Sequence, residues 1–324
     1  MTQRPRILLS RRWTTEVEQH LTGRYEVTIN ASDVPLTAEQ FRQAMREYDA
    51  LCPTVTDRID ATVLDVPDRR VQLIGNFGVG YNHIDLATAK RLGIRISNTP
   101  DVLTDTTAEL AILLLLMATR RAGEGERELR AGRWTGWRPT HLMGASLQGK
   151  RLGLIGFGRI AHATARKAHA AFGMQIAYHS RRRADAAIEA ETGAQYVASL
   201  DELVATSDVV SLHCPGGPET FHLMDAARIA RMKPAAVLIN TARGPVVDEA
   251  ALVAALTEKR IAAAGLDVYE EEPRLHPGLL PLENVVLLPH LGSATVETRT
   301  AMGMRVASNL DAFFAGAPLR DPVA

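Results

Sequence analysis

Residues 152–171 restrict what this chain can fold into more than any other stretch. They run Leu152-Gly153-Leu154-Ile155, then Gly156-Phe157-Gly158-Arg159-Ile160-Ala161, then a helical pattern over residues 162–171. An apolar strand, a G-x-G-x-x-A turn and a helix in that order make a seat for a pyrophosphate. Gly156 permits the tight turn, and Gly158 lets the backbone come close to phosphate oxygens. Ala161 is small enough for helix and strand to pack together. The unsatisfied N–H groups and positive dipole end of the following helix then face the phosphates. The expectation is a bound nicotinamide dinucleotide used for hydride transfer.

This turn lies near the middle of 324 residues, a length that suggests two domains. Before it, short apolar runs at residues 7–9, 27–29, 50–51, 71–74 and 94–96 alternate with helical patterns such as 37–45 and 86–92. After it, strand-like runs recur at 152–155, 175–178, 209–212, 237–239, 262–266 and 285–288. Alternation of this kind predicts parallel sheets with crossover helices. The fold class is therefore α/β, with two doubly wound, Rossmann-like domains and the nucleotide-binding domain inserted into a discontinuous substrate domain. The expected boundaries are 1–99 with 290–324 for the substrate domain and 100–289 for the nucleotide domain. A helix over about 104–121, apolar almost all round, is expected to be buried on most sides, as one bridging two domains would be. Residues 122–149 break the pattern with a charged helix and then a loop carrying Trp134 and Trp137, two of the chain's three tryptophans. Such a segment is expected to pack on a partner subunit.

Composition excludes several classes. Lys+Arg 37 against Asp+Glu 37 leaves no overall field for nucleic acid or an anionic membrane. Cys52 and Cys214 are the only cysteines, too few for a disulfide framework or a four-ligand zinc site, so a cytoplasmic protein without a structural metal is expected. The apolar run at 7–9 is too short for a signal peptide, and 111–118 falls short of the roughly 18–20 residues a membrane span needs.

The end of the second strand bears on which dinucleotide binds. In an NAD site an acidic residue about 20 positions beyond the turn accepts the ribose 2′-hydroxyl. Here the stretch reads Tyr178-His179-Ser180-Arg181-Arg182-Arg183, with no acid before Asp185. Ser180, Arg181 and Arg182 can hydrogen-bond a 2′-phosphate that a carboxylate would repel, so NADP(H) is expected over NAD(H). The alternative is a solvated basic helix start.

Reducing a keto acid also requires a carboxylate clamp, a polariser of the carbonyl and a proton donor. Arg243 follows the strand at 237–239, at the edge where open α/β sheets bind ligands, and can hold a keto acid by two parallel hydrogen bonds. His290 follows the strand at 285–288 between small neighbours. A carboxylate on its far nitrogen would stabilise the imidazolium form and make it a proton donor. Glu270, Glu271 and Glu272 are all candidates, and spacing does not choose among them.

At this point the chain resembles the D-2-hydroxyacid dehydrogenase family, most closely its glyoxylate/hydroxypyruvate reductase branch. The resemblance spans essentially the whole sequence. It rests on Asn76-Phe77-Gly78-Val79-Gly80-Tyr81-Asn82-His83-Ile84-Asp85, the Gly156 turn, Thr241-Ala242-Arg243-Gly244, the stretch 265–273, and Pro289-His290-Leu291-Gly292-Ser293. It implies that Arg243 holds and polarises the keto acid, that His290 donates the proton, and that Glu272, directly before Pro273, is the glutamate on His290. It further implies that the backbone of Val79 and Gly80 grips the substrate carboxylate, with Leu51 nearby. Thr104, Arg159, Ile160, Pro215, Thr220, Thr241, Ala242, Asp267 and Gly292 would line the cofactor, Asp267 facing the nicotinamide carboxamide. A homodimer with the 122–149 arm embracing its partner is also implied.

Two departures stand out. His141 occupies the place near the end of the arm where relatives often carry a tryptophan that reaches the partner's active site, and Ala161 replaces a third glycine. Among rivals, a formate dehydrogenase of this fold lacks the catalytic glutamate, and the Tyr-x-x-x-Lys pair of short-chain dehydrogenases is absent. A phosphoglycerate-type or other family member using NAD remains an alternative, although no regulatory tail domain is expected. The alternative outside enzymes is a dinucleotide-sensing corepressor or scaffold.

Overall fold

The computed structural model describes residues 4–323. These fall into two compact units, one from Met1–Leu103 with Ser293–Ala324 and one from Thr104–Gly292, as far as those spans are described. Both seams differ from the boundaries expected at 99/100 and 289/290. At the first, Thr104 opens a helix that packs mainly with elements of the second unit. At the second, the backbone of residues 290–292 is tied to Asp267. The His290 N–H donates to the Asp267 carbonyl at 2.9 Å, and the N–H groups of Leu291 and Gly292 donate to its carboxylate at 2.6 and 2.8 Å. His290 therefore belongs to the second unit, where the sequence boundary had assigned it to the first.

In the first unit, strands β1 (Arg6–Leu9), β2 (Glu26–Ile29), β3 (Ala50–Cys52), β4 (Leu73–Gly75) and β5 (Arg95–Ser97) alternate with helices α1 (Thr15–Arg24), α2 (Ala38–Glu47), α3 (Ala61–Leu64) and α4 (Leu86–Arg91). The strands are parallel in the order β2-β1-β3-β4-β5, so the chain reverses direction across the sheet between β1 and β3. Open sheets bind ligands beyond the strand ends at such a reversal. Local chemistry sets the elements: Thr37 and Gln40 form a reciprocal capping box that starts α2, while Phe41 and Met45 carry its apolar face onto Leu51 and Ile74.

The second unit begins with α5 (Thr104–Thr119) and α6 (Ala122–Arg130). It continues β6 (Arg151–Ile155), α7 (Arg159–Phe172), β7 (Gln175–His179), α8 (Ala186–Thr192), β8 (Ala194–Tyr196), α9 (Leu200–Thr206), β9 (Val209–Leu212), α10 (Ala226–Ile229), β10 (Val237–Asn240), α11 (Glu249–Thr257), β11 (Ala263–Leu266) and β12 (Val285–Leu287). All seven strands are parallel in the order β12-β11-β10-β9-β6-β7-β8, which places the reversal between β6 and β9. The strands read as continuous apolar runs because both faces are covered. Along β10, Val237 and Ile239 enter one core with Ala161 and Ala165 of α7, while Leu238 enters the other with Leu252 and Leu256 of α11. The last helix, α12 (Val296–Phe314), packs on α1 and β4 of the first unit.

The parallel α/β architecture expected from the alternation is thus present in both units. Edge strand β8 went unpredicted, since Ala194-Gln195-Tyr196 is too short and mixed for any periodicity to register. Helix α5 packs on α7, β10, β11 and β12, but Asp105, Glu109 and Leu113 form an exposed edge, so its apolar surface is not covered all round within the chain. No helix among the described residues is long and apolar enough to cross a membrane.

Candidate active site

The Gly156 turn sits at the β6/β9 reversal of the second unit. The Gly156 N–H donates to the His179 carbonyl at 2.9 Å, and the His213 N–H to that of Ile155 at 2.8 Å. Gly156 has φ 85°, and a Cβ there would lie 2.7 Å from the Cys214 nitrogen, so both conformation and close approach demand glycine. A Cβ on Gly158 would meet nothing within 4 Å. No side chain caps the start of α7, which leaves its first N–H groups open beside that space. Ala161 is fully buried between helix and sheet. The Thr241 hydroxyl, after β10, is buried without a hydrogen-bond partner. An open cradle of N–H donors and an unpartnered buried hydroxyl fit a dinucleotide pyrophosphate and its neighbouring groups.

Downstream of β7, Arg181 pairs with Glu219 at 2.9 Å, both exposed, and Arg183 pairs with Glu189 at 2.8 Å. Arg182 is exposed and forms no ion pair among the described residues. Ser180 Oγ donates to the Arg182 carbonyl, which closes the turn. Thr220 Oγ1 donates to the Pro215 carbonyl at 2.7 Å, so these two residues shape one loop after β9.

Three strand-end segments of the second unit converge. After β10, Asn240 Oδ1 accepts from the Ala242 N–H and its Nδ2 donates to the Arg243 carbonyl, both at 3.0 Å, which fixes the turn carrying Arg243. The Arg243 guanidinium donates to the Ala242 carbonyl at 2.7 Å. Burial lowers its pKa, opposed by the charge of Glu272. Gly244 lies flat against the next segment, where a Cβ would stand 1.8 Å from the Tyr269 carbonyl carbon. After β11, Glu272 Oε1 accepts from the Tyr269 N–H at 3.0 Å. Its Oε2 accepts from His290 Nδ1 at 2.8 Å. Burial pushes the Glu272 carboxyl up, but the bond and charge of His290, the Tyr269 N–H and Arg243 outweigh it and hold it below the usual carboxylate range.

His290 itself has φ 55°, an uncommon conformation for a residue with a Cβ, held by its N–H bond to Asp267 and the two bonds that follow. Burial raises the Asp267 carboxyl despite those N–H bonds. The Thr107 hydroxyl donates to the Gly292 carbonyl at 3.0 Å, so α5, which starts at Thr104, is tied to the same turn. Geometry also separates the three glutamates that spacing left open. Glu272 meets His290, Glu270 meets His222 at 2.7 Å, and exposed Glu271 meets Arg274 at 2.9 Å.

In the first unit, Leu51 is buried in β3, beside the reversal of that sheet. The loop after β4 holds Val79 and Gly80. Asn76 Nδ2 donates to the carbonyls of Gly78 and Gly80 at 3.0 Å, and Asn98 Nδ2 to that of Val79 at 2.9 Å. With the carbonyls drawn inward, the N–H groups of Val79 and Gly80 meet no acceptor among the described residues. Such adjacent open donors suit an anion. Asn76 and Asn240 had no role of their own in the sequence reading, although Asn76 opens a motif of the family resemblance. The available signal was an asparagine at a strand end, a residue that hydrogen-bonds the backbone two residues on.

In the 122–149 segment His141 does not reach outward. Its Nε2 lies 2.8 Å from Glu128 Oε2 of α6, and both side chains are mostly covered. Trp137 is 81% exposed and Trp134 50%.

A family model described as D-isomer specific 2-hydroxyacid dehydrogenase, NAD binding domain, matches residues 112–292. The chain is 43% identical over 314 residues to a glyoxylate reductase of Thermococcus onnurineus, covering 96% of this chain and 93% of that one. It is 48% identical over 278 residues to a glyoxylate reductase of Thermococcus litoralis, covering 85% and 83% respectively. A crystal structure of the NADPH-dependent glyoxylate/hydroxypyruvate reductase of Sinorhizobium meliloti, in complex with NADP and malonate, matches with a TM-score of 0.87 at 38% identity, covering 99% of this chain and 97% of that one. Sequence and fold agree along nearly the full length, and the chain belongs to the D-isomer specific 2-hydroxyacid dehydrogenases, NAD(P)-dependent oxidoreductases.

Proposed function

We propose that this dehydrogenase reduces a small 2-keto acid, glyoxylate or hydroxypyruvate, to the D-2-hydroxy acid, with NADPH preferred to NADH. The observation that carries the reaction is the 2.8 Å contact between His290 Nδ1 and Glu272. An ionised carboxylate can only accept, so Nδ1 keeps its proton and Nε2 is the nitrogen that exchanges one. Glu272 stabilises the imidazolium and orients the ring; His290 gives its Nε2 proton to the oxygen that was the substrate carbonyl. Arg243 holds the keto acid and polarises that carbonyl. A reduced nicotinamide, when bound, would supply the hydride for C2. Val79 and Gly80 of the first unit offer N–H donors to the substrate carboxylate, and Leu51 is their apolar neighbour. Gly156, Gly158, Arg159, Ile160, Thr104, Pro215, Thr220, Thr241, Ala242, Asp267 and Gly292 are assigned to the cofactor.

Ser180 and Arg182, with no acid between them, support NADPH, and the Sinorhizobium meliloti relative is described as NADPH-dependent. One observation favours NADH: Arg181 already pairs with Glu219, whose carboxylate would repel a 2′-phosphate. The exposed Trp134 and Trp137 support a homodimer formed through the 122–149 segment. Purified protein assayed with a panel of 2-keto acids and both cofactors tests the assignment. The highest kcat/KM is expected for glyoxylate or hydroxypyruvate with NADPH. A clear NADH preference refutes the cofactor assignment, and absence of turnover with every 2-keto acid refutes the reaction in favour of a sensing role.

A further inference from the structure

We propose that Glu270, clasped by His222 and Glu249, is a positioning residue that holds the 269–272 segment so that Glu272 meets His290. This rests on the His290–Glu272 reading above. Glu270 faces inward while Glu271, next to it, points to solvent. Its Oε1 lies 2.7 Å from His222 Nε2, and its Oε2 accepts from the Glu249 N–H at 3.4 Å. In return Glu249 Oε1 accepts from the Glu270 N–H at 2.7 Å. Each glutamate thus caps the other's backbone. Glu249 is the first residue of α11, where an N–H has no partner within the helix, so the exchange satisfies a donor that the helix leaves open. Glu249 is almost wholly buried; burial, with the Glu270 charge beside it, raises its carboxyl above the usual range despite the Glu270 N–H bond.

His222 completes the clasp from the other side. Its φ is 48°, a conformation that persists in a residue with a Cβ only where the surroundings hold it. Its N–H donates to the Pro245 carbonyl at 2.8 Å, and the Met224 N–H to that of Val246 at 2.9 Å. Residues 222–224 are therefore paired to the short 3-10 turn, Gly244–Val246, that follows Arg243, while the His222 side chain grips the segment that leads to Glu272. Gly244 itself lies against the Tyr269 backbone. One histidine consequently braces the arginine turn through its backbone and the glutamate turn through its ring. The His222–Glu270 pair is about 30% exposed on each side, too covered for the freely solvated ion pairs that contribute nothing to geometry.

The test combines single variants with a double one. Glu270→Ala and His222→Ala should each lower kcat for glyoxylate reduction roughly 10- to 100-fold, the scale set by small misplacements of catalytic groups, with cofactor KM little changed. Glu270→Gln, which keeps an acceptor for His222, should recover most of the rate. In a Glu272→Gln background, Glu270→Ala should cause little further loss, because its effect runs through Glu272. If the losses multiply instead, or if folded Glu270→Ala keeps the parental kcat, the clasp is wrong. Should Glu270→Ala not fold, His222→Ala and Glu270→Gln carry the same comparison. A fully active Glu272→Gln enzyme would overturn the His290–Glu272 reading, and the clasp with it.

Discussion

Replacing Glu272 by glutamine removes a charge while keeping size and one acceptor oxygen, so its effect on His290 follows from the geometry. The Nδ1···Oε2 distance of 2.8 Å puts the two charge centres about 4 Å apart. Unit charges at that separation attract by about 1 kcal/mol in bulk water and about 4 kcal/mol at the effective dielectric of a protein surface. The two side chains are 32% and 20% exposed, which places the pair between those limits, at about 1–3 kcal/mol. Since about 1.4 kcal/mol is a factor of ten in rate, the kcat of reduction at neutral pH should fall about 5- to 150-fold. The loss should fall on kcat with substrate KM little changed, because the charge acts on the proton donor and not on the arginine that holds the substrate. Steady-state absorbance assays of the nicotinamide measure this. A Glu272→Gln enzyme with the parental kcat would refute the electrostatic role.

His290→Ala should mainly lower kcat, by roughly 10²–10⁴, whereas Arg243→Ala should raise substrate KM and lower kcat together; parental kinetics in either variant would remove its assigned role. Asp321 is bound by Arg305 at 2.6 Å and by Asn309 at 2.8 Å. Burial raises its carboxyl, but these partners win and hold it below the usual range. Its stabilisation is therefore complete above the unfolded value and is lost as pH falls through the folded one. Asp321→Asn should cost about 1–3 kcal/mol in urea unfolding at neutral pH, allowing for the partly exposed arginine, and progressively less below about pH 4. A constant difference across that range would contradict the linkage. Trp137→Asp should yield monomers by light scattering if the 122–149 segment forms the subunit contact, and an unaltered oligomer would exclude it.

Much of this was legible because certain positions tolerate few residues. The Gly156 turn imposes a left-handed φ, a close backbone approach and a small packing residue within six positions, so the motif is rare without its structural context. The alternating apolar runs announced parallel sheets because strands covered on both faces must be apolar throughout. Strand β8 left no trace, since three mixed residues at a sheet edge satisfy no period. Spacing likewise did not choose among Glu270, Glu271 and Glu272; only the family resemblance pointed to Glu272. Adjacent side chains in an irregular segment point in directions that only its backbone sets, and here Gly244, the Tyr269 N–H and the Glu249 exchange set it.

What the sequence alone determined, then, was the kind of fold, the place of the dinucleotide turn and a short roster of charged residues at strand ends. Periodicity and glycine requirements are local properties and can be read locally. Why Glu272 and not its neighbours meets His290, which unit His290 joins, and that His141 turns back onto Glu128 were decided only in three dimensions. The first two depend on hydrogen bonds between residues that become neighbours only when the sheet brings its strand ends together, and the third on how the chain folds back after α6.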